Sequence, residues 1–164
     1  MARLKKLLDG RGFLSLDLVG FFGGLVSVWN SIIKLTDSFV VFLGLYIEVY
    51  NKRMGMSLNM LNLYKPYEVK QPFWDNIFTS KVLMVSNLVL GGDLNFTTNR
   101  NEIWGHNAHS NRLFDYFIFS LDRPGLVDLK LVEINPTWIN NKVVEEVILK
   151  RLGKIMLNNE LVLQ

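Results

Sequence analysis

The sequence predicts an α+β layered sandwich, and three observations carry that expectation. Apolar, β-branched and aromatic runs follow one another up to about residue 63, separated by turns and not by helical stretches, which favours antiparallel pairing. Two stretches with helical spacing then appear, one after Pro72 and one after Ser110, each followed by a further strand-like run. No internal repeat, linker or low-complexity segment divides the 164 residues, so a single domain over 1–164 with one hydrophobic core is expected.

Taken in order, Phe13 to Val19 reads as a strand, Gly23-Gly24 as a tight turn and Leu25 to Trp29 as a returning strand. Phe39 to Val49 reads as another strand run, Asn51 to Gly55 as a turn, and Ser57 to Leu63 as a further strand. Tyr64-Lys65-Pro66 ends it, because proline cannot donate to a ladder and restricts the residue before it. Pro72 suits the first turn of a helix whose Phe73, Trp74, Ile77 and Phe78 share a face, with Asp75 and Asn76 outward.

Lys81 to Leu94 reads as one strand with a break near Ser86-Asn87, and Thr97 to Asn111 as a polar loop. Ser110 can cap a second helix with a stripe of Leu113, Phe114, Phe117, Ile118 and Leu121, closed by Arg123-Pro124-Gly125. Leu126 to Leu129 is a short strand. The tail allows two readings, a helix through Val144, Val147, Ile148, Arg151, Leu152 and Ile155 or strands at Ile134–Ile139 and Lys154–Leu157.

The composition is that of a folded chain: 49% hydrophobic and 20% charged residues argue against disorder. A net charge of +3 permits a nucleic-acid partner without requiring one. The absence of cysteine excludes disulfides and thiolate zinc sites and leaves the compartment open. The uncharged run between Asp17 and Lys34 is broken by three glycines and falls short of the roughly 20 apolar residues a membrane span needs. Asp9, Arg11 and Asp17 interrupt the apolar core that a signal peptide would require, so no membrane association is expected.

Chemistry concentrates at Leu88-Val89-Leu90-Gly91-Gly92-Asp93-Leu94-Asn95-Phe96. An apolar strand of this kind delivers its polar residues at its carboxyl end, where open α/β sheets place ligands. Alternation puts Asp93 and Asn95 on one face and Leu94 in the core, and a carboxylate beside an amide suits a hard cation and a phosphate oxygen. A solvated strand-end turn is the competing reading. Tyr64, ending a strand before a proline, could project its hydroxyl into the same rim and donate to a phosphate oxygen. His106 and His109 read as a surface loop, because Glu102 is the one carboxylate at a usable spacing and a closed zinc site needs four ligands. Lys5-Lys6, Lys52-Arg53 and Lys150-Arg151 read as solvated pairs.

The motifs in this order resemble the endonuclease/exonuclease/phosphatase (DNase I-like) superfamily, and within it the apurinic-type endonuclease of LINE-type (non-LTR) retrotransposons. Asn62-Leu63-Tyr64-Lys65-Pro66 is similar to a Tyr-Gly-Pro after a strand, and Gly91-Gly92-Asp93-Leu94-Asn95-Phe96 to a Gly-Asp-Phe-Asn after the next. Gly23 to Trp29, Leu113 to Ile118, Gly125 to Leu129 and Pro136 to Asn141 are similar to further motifs of the family. The resemblance implies a four-layer α/β/β/α sandwich and magnesium-assisted phosphodiester hydrolysis, with DNA as a possible partner and an intracellular, nuclear or cytoplasmic location. Asp93 carries over as the aspartate that positions the attacking water and supplies a partial metal site, Asn95 as the amide on a phosphate oxygen, and Tyr64 as the phenol near that phosphate. Asp128 and Trp138 carry over as structural.

Departures from the family pattern shape the functional expectation. The metal-binding Glu motif belongs upstream of the Gly-Gly strand and is not found before it, and the family's Ser-Asp-His is not found before Gln164. Gly153 stands where the family has the aspartate that orients the histidine, and Lys65 where it has a glycine. The expectation is an incomplete domain, truncated at both ends, with little or no hydrolysis on its own. The alternative is a non-catalytic nucleic-acid-binding or structural relic.

Overall fold

The computed structural model describes residues 10–17, 24–64, 71–105, 113–130, 133–140, 142 and 146–163. The first hairpin is as expected: β1 (Gly12–Asp17) and β2 (Gly24–Trp29) pair antiparallel from Gly12↔Trp29 to Asp17↔Gly24. Gly23, in the expected turn, lies outside the described residues. The run expected over Phe39–Val49 is instead parts of two strands, β3 (Ile33–Val41) and β4 (Gly44–Asn51), reversing at Phe42-Leu43. Neither turn residue is a turn former, so the reversal leaves no mark except Gly44. The next turn is conventional. The Asn51 side chain accepts the Arg53 and Met54 N–H groups and Gly55 takes φ +70°, leading into β5 (Met56–Tyr64).

Helix α1 (Gln71–Thr79) buries Trp74, Ile77 and Phe78 and leaves Asp75 and Asn76 outward, as its spacing requires. The strand expected from Lys81 begins only at Leu88. The Ser80 hydroxyl accepts the Val82 N–H at 3.2 Å and starts a 3₁₀ turn over Lys81–Met84, which delays β6 to Leu88–Asp93. Because α1 carries the chain back across the sheet, β5 and β6 pair in parallel, from Asn59↔Leu88 to Tyr64↔Asp93. The sheet is therefore mixed, not antiparallel throughout.

The stretch expected as loop holds a 3₁₀ turn (Arg100–Glu102) and a two-residue β7 (Ile103–Trp104). Helix α2 (Phe114–Asp122) buries Phe117 and Leu121, but Ile118 faces outward, so its stripe is narrower than expected; Ser110 lies outside the described residues. The tail resolves in favour of strands: β8 (Leu126–Asp128), β9 (Trp138–Ile139), β10 (Leu149–Lys150) and β11 (Gly153–Asn158), then a short α3 (Asn159–Val162). Val144, part of the helical alternative, lies outside the described residues.

The central sheet has the order β3-β4-β5-β6-β11-β8, beside a two-stranded β1-β2 sheet and a three-stranded β7-β10-β9 sheet. One face of the central sheet carries the main core. Tyr46, Leu61, Leu63, Leu88, Leu90 and Met156 pack there against Trp74, Ile77, Phe78, Phe117 and Leu121 of the two helices. Full burial of each large aliphatic contributes about 1.5–3 kcal/mol, which makes this the principal stabilising layer. On the other face Leu45, Ile47 and Val49 meet Leu14 of the first hairpin, and Asn62 Nδ2 donates to Ser27 Oγ at 3.1 Å. Helices, central sheet and smaller sheets thus give the layered α+β plan. Among the described residues no helix is long and apolar enough to cross a membrane.

Candidate functional site

Pairing register builds the site. Asp93 is the last residue of β6, and it lies beside Tyr64 at the end of β5 and beside Gly153 at the start of β11. Tyr64, Asp93 and Gly153 therefore form one row across three adjacent strands. Alternation sets the face: Val89 and Gly91 on β6, Met60 and Asn62 on β5 and Ile155 on β11 share the row's side. These residues line an opening beneath Val26, Ser27 and Val28 of the first hairpin. The row thus sits at the strand ends on the face that looks toward the smaller sheets, away from the helices.

Backbone geometry explains the two glycines. Gly92 takes φ +131°, and a Cβ there would lie 2.0 Å from the Leu63 carbonyl oxygen, so only glycine lets β6 run this close to β5. The strand then ends. Leu94 is fully buried in the main core, while its N–H donates to the Leu152 carbonyl at 3.1 Å. Asn95 adopts φ +53°, and its N–H donates to Asp93 Oδ1 at 3.3 Å. Asparagine tolerates this left-handed conformation better than most residues. Period-2 alternation accordingly stops at Asp93, and the place of Asn95 is set by a local turn that Asp93 closes, a geometry the competing strand-end reading described.

Beside this row lies a buried ionic cluster of Glu102, Asp128, Arg151 and Lys154, which gives Asp128 a structural place. Glu102, weighed only as a partner for the histidines, is fully buried. Its Oε1 accepts from Arg151 at 2.7 Å and from Lys154 Nζ, and its Oε2 accepts the Thr98 N–H at 2.8 Å. Asp128 takes Arg151 in a bidentate grip at 2.6 and 2.8 Å and lies 3.3 Å from Lys154 Nζ. Burial alone would push both carboxyl pKa values up. The hydrogen bonds and charges of Lys154 and Arg151, joined for Glu102 by the Thr98 N–H, together outweigh it, led for Glu102 by the Lys154 hydrogen bond and for Asp128 by the Arg151 hydrogen bond, so both lie below the usual range. Hydrogen bonding to Asp128 raises the Arg151 pKa against the opposing pull of burial.

Arg151 is thus buried, a correction to its reading as a solvated residue; Lys52 and Arg53 are exposed as expected, and Lys5 and Lys6 lie outside the described residues. The signal that could have found the cluster was the apolar company of Arg151 and Lys154, on either side of Leu152-Gly153. Trp138 is partly exposed, with Lys150 Nζ 5.8 Å from its ring centroid. His106 and His109 lie outside the described residues.

The donors near Asp93 bear on the implied magnesium. Mg²⁺ usually takes one or two carboxylates together with phosphate oxygens and water. Asp93 is a single carboxylate, and among the described residues no group of three or more His, Cys, Asp or Glu could hold a metal ion. The described side chains do not make a magnesium site by themselves. What they offer is an acceptor at Asp93, an amide at Asn95 and a phenol at Tyr64.

This architecture has counterparts among solved structures. The chain is similar to the endonuclease domain of TRAS1, a telomere-specific non-LTR retrotransposon, with a TM-score of 0.67 and 13% identity over 93% of this chain and 69% of that one. The fold is DNase I-like. It is shared with TDP2 of D. rerio, solved with a single-strand DNA product, at a TM-score of 0.62 and 17% identity over 96% of this chain and 65% of that one. The human Nocturnin catalytic domain, solved with a bound sulfate anion, matches at 0.60 and 12% over 96% of this chain and 63% of that one. No family model matches the sequence, and no curated protein matches it. All three solved structures belong to the endonuclease/exonuclease/phosphatase superfamily, and this DNase I-like chain spans only about two-thirds of their length.

Proposed function

We propose that this chain carries the phosphate-facing strand ends of a LINE-type endonuclease domain and, by itself, contacts nucleic acid with little or no hydrolysis. The observation that supports this most is the single row of Tyr64, Asp93 and Gly153 at the ends of three adjacent strands. In this reading the Asn95 amide and the Tyr64 phenol donate to oxygens of one phosphate, and the Asp93 carboxylate aligns a water. Charge developing in a phosphodiester transition state needs preorganised donors or a metal. The described donors around Asp93 are too few to hold magnesium, and Gly153 offers no side chain beside it. Each missing donor of this kind costs about 10²–10³ in rate.

A nicking assay on supercoiled DNA with added Mg²⁺ tests the reading. The expected result is no cleavage above that of Asp93→Asn. Clear Mg²⁺-dependent nicking that disappears in Asp93→Asn would overturn the inactivity and place Asp93 in the chemistry. Binding is tested separately by fluorescence anisotropy with labelled DNA. Affinity that falls as salt rises supports phosphate contact, and no binding at low salt sinks it.

A further inference from the structure

The hairpin between β3 and β4 breaks a local rule. Val41 pairs with Gly44, so only Phe42 and Leu43 make the turn. Two-residue hairpin turns need positive φ at their first central position, and glycine or asparagine normally fills it. Phe42 holds φ +54° there, a conformation costly for a bulky side chain. Among the described residues the tip is largely open: Phe42 is 41% exposed, with Val40 at 58% and Leu43 at 37% near it, while Val41 packs against the main core. A strained aromatic residue left this exposed points to a contact outside the fold.

The location narrows what that contact is. Leu43 C=O accepts the Tyr64 N–H at 3.1 Å, and Gly44 pairs with Leu63. The tip therefore stands one strand to the side of Tyr64, at the same end of the sheet as the Tyr64–Asp93–Gly153 row. Adjacent strands are about 4.8 Å apart. An apolar, aromatic tip this close to a phosphate-facing row meets what hangs beside a nucleic-acid phosphate, its base. Base stacking on an aromatic ring is tolerant of sequence and needs an unstacked base.

We propose that Phe42, flanked by Val40 and Leu43, stacks on an unpaired base of a single strand whose backbone passes over Tyr64 and Asp93. This rests on the nucleic-acid reading above and adds to it the ring that contacts the base. The test uses anisotropy at low salt with a fluorescein-labelled single-stranded oligonucleotide and an abasic oligomer of the same length. Phe42→Gly binds the oligonucleotide about tenfold more weakly, the scale of one lost stack, while Phe42→Trp retains binding. Both variants bind the abasic oligomer as the wild type does. Phe42→Gly melts no lower than the wild type, since glycine accepts the turn without strain.

Equal oligonucleotide affinity in Phe42→Gly overturns the stacking role and leaves the phosphate contact standing. Equal losses on both oligomers also overturn it, because they reveal a disturbed backbone site. If the wild type binds neither oligomer, the nucleic-acid reading itself fails, and this inference with it.

Discussion

At the scale of single residues, the site depends on backbone approach as much as on side chains. Gly92 and Gly91 are neighbours in sequence and opposites in constraint. A Cβ on Gly92 would meet the Leu63 backbone oxygen at 2.0 Å with φ at +131°, whereas a Cβ on Gly91 meets nothing closer than 3.5 Å. Gly92→Ala should therefore force β5 and β6 apart and cost about 3 kcal/mol or more, and Gly91→Ala should stay within about 1 kcal/mol. Urea midpoints of the two variants check this, and equal midpoints would contradict it. This stretch was legible in the sequence because an apolar run that meets Gly-Gly-Asp marks the end of a strand. Asn95 was placed by alternation, which fails there because its left-handed φ depends on the turn closed by Asp93. Phe42-Leu43 was unreadable as a turn for the converse reason: neither residue carries turn chemistry.

At the scale of elements, the ionic cluster holds the second half of the chain together. Arg151 and Lys154 flank the start of β11, Asp128 ends β8, and Glu102 ends the turn before β7. Two acids and two bases balance, and Arg151 also donates to the Leu129 carbonyl at 3.2 Å. Only the structural place of Asp128 was legible in the sequence, through the resemblance; its partners were not, because Glu102 and Arg151 are 49 residues apart and each looks like a surface charge. The strands and amphipathic helices were legible, since their signals are local periodicities.

Removing one member leaves the others buried and unbalanced, so Glu102→Leu should destabilise by about 3–5 kcal/mol. The cluster also sets an acid limit. Folding holds both carboxyl pKa values below the ordinary range, so the unfolded chain takes up protons first as the pH falls. The stabilisation is complete above the unfolded carboxyl values, near pH 4, and is lost as the pH drops below them through the folded ones. Urea midpoints measured from pH 6 to pH 3 should fall in that lower window. The slope should be shallower in Asp128→Asn, and an unchanged slope would show that the cluster is not its source.

At the scale of the whole molecule, the two faces of the central sheet are unequally covered. The helix side is a closed core in which Leu63, Leu88, Leu90 and Met156 are fully buried. On the opposite side the first hairpin covers β4 and β5, but Val26, Val28, Met60 and Ile155 remain 36–54% exposed around an opening of about 290 Å³. A two-stranded sheet is marginally stable by itself, so β1 and β2 depend on this incomplete contact and on the Asn62–Ser27 hydrogen bond. Stability should therefore be uneven. The β5–β6–β11 centre should open only with global unfolding, and the β1–β2 hairpin well before it. Hydrogen exchange read residue by residue distinguishes the two, with Leu61, Leu63 and Leu90 amides protected far longer than those of Leu14 and Val26. Ile155→Glu places a negative charge on the exposed face, which repels an anionic dye, without touching the helix-side core. It should reduce binding of an apolar, anionic dye such as ANS while leaving the protection of Leu61 and Leu90 unchanged. Loss of protection at those two amides would mean that both faces of the sheet fold as one cooperative unit, and that the partly covered face carries more of the stability than its exposure indicates.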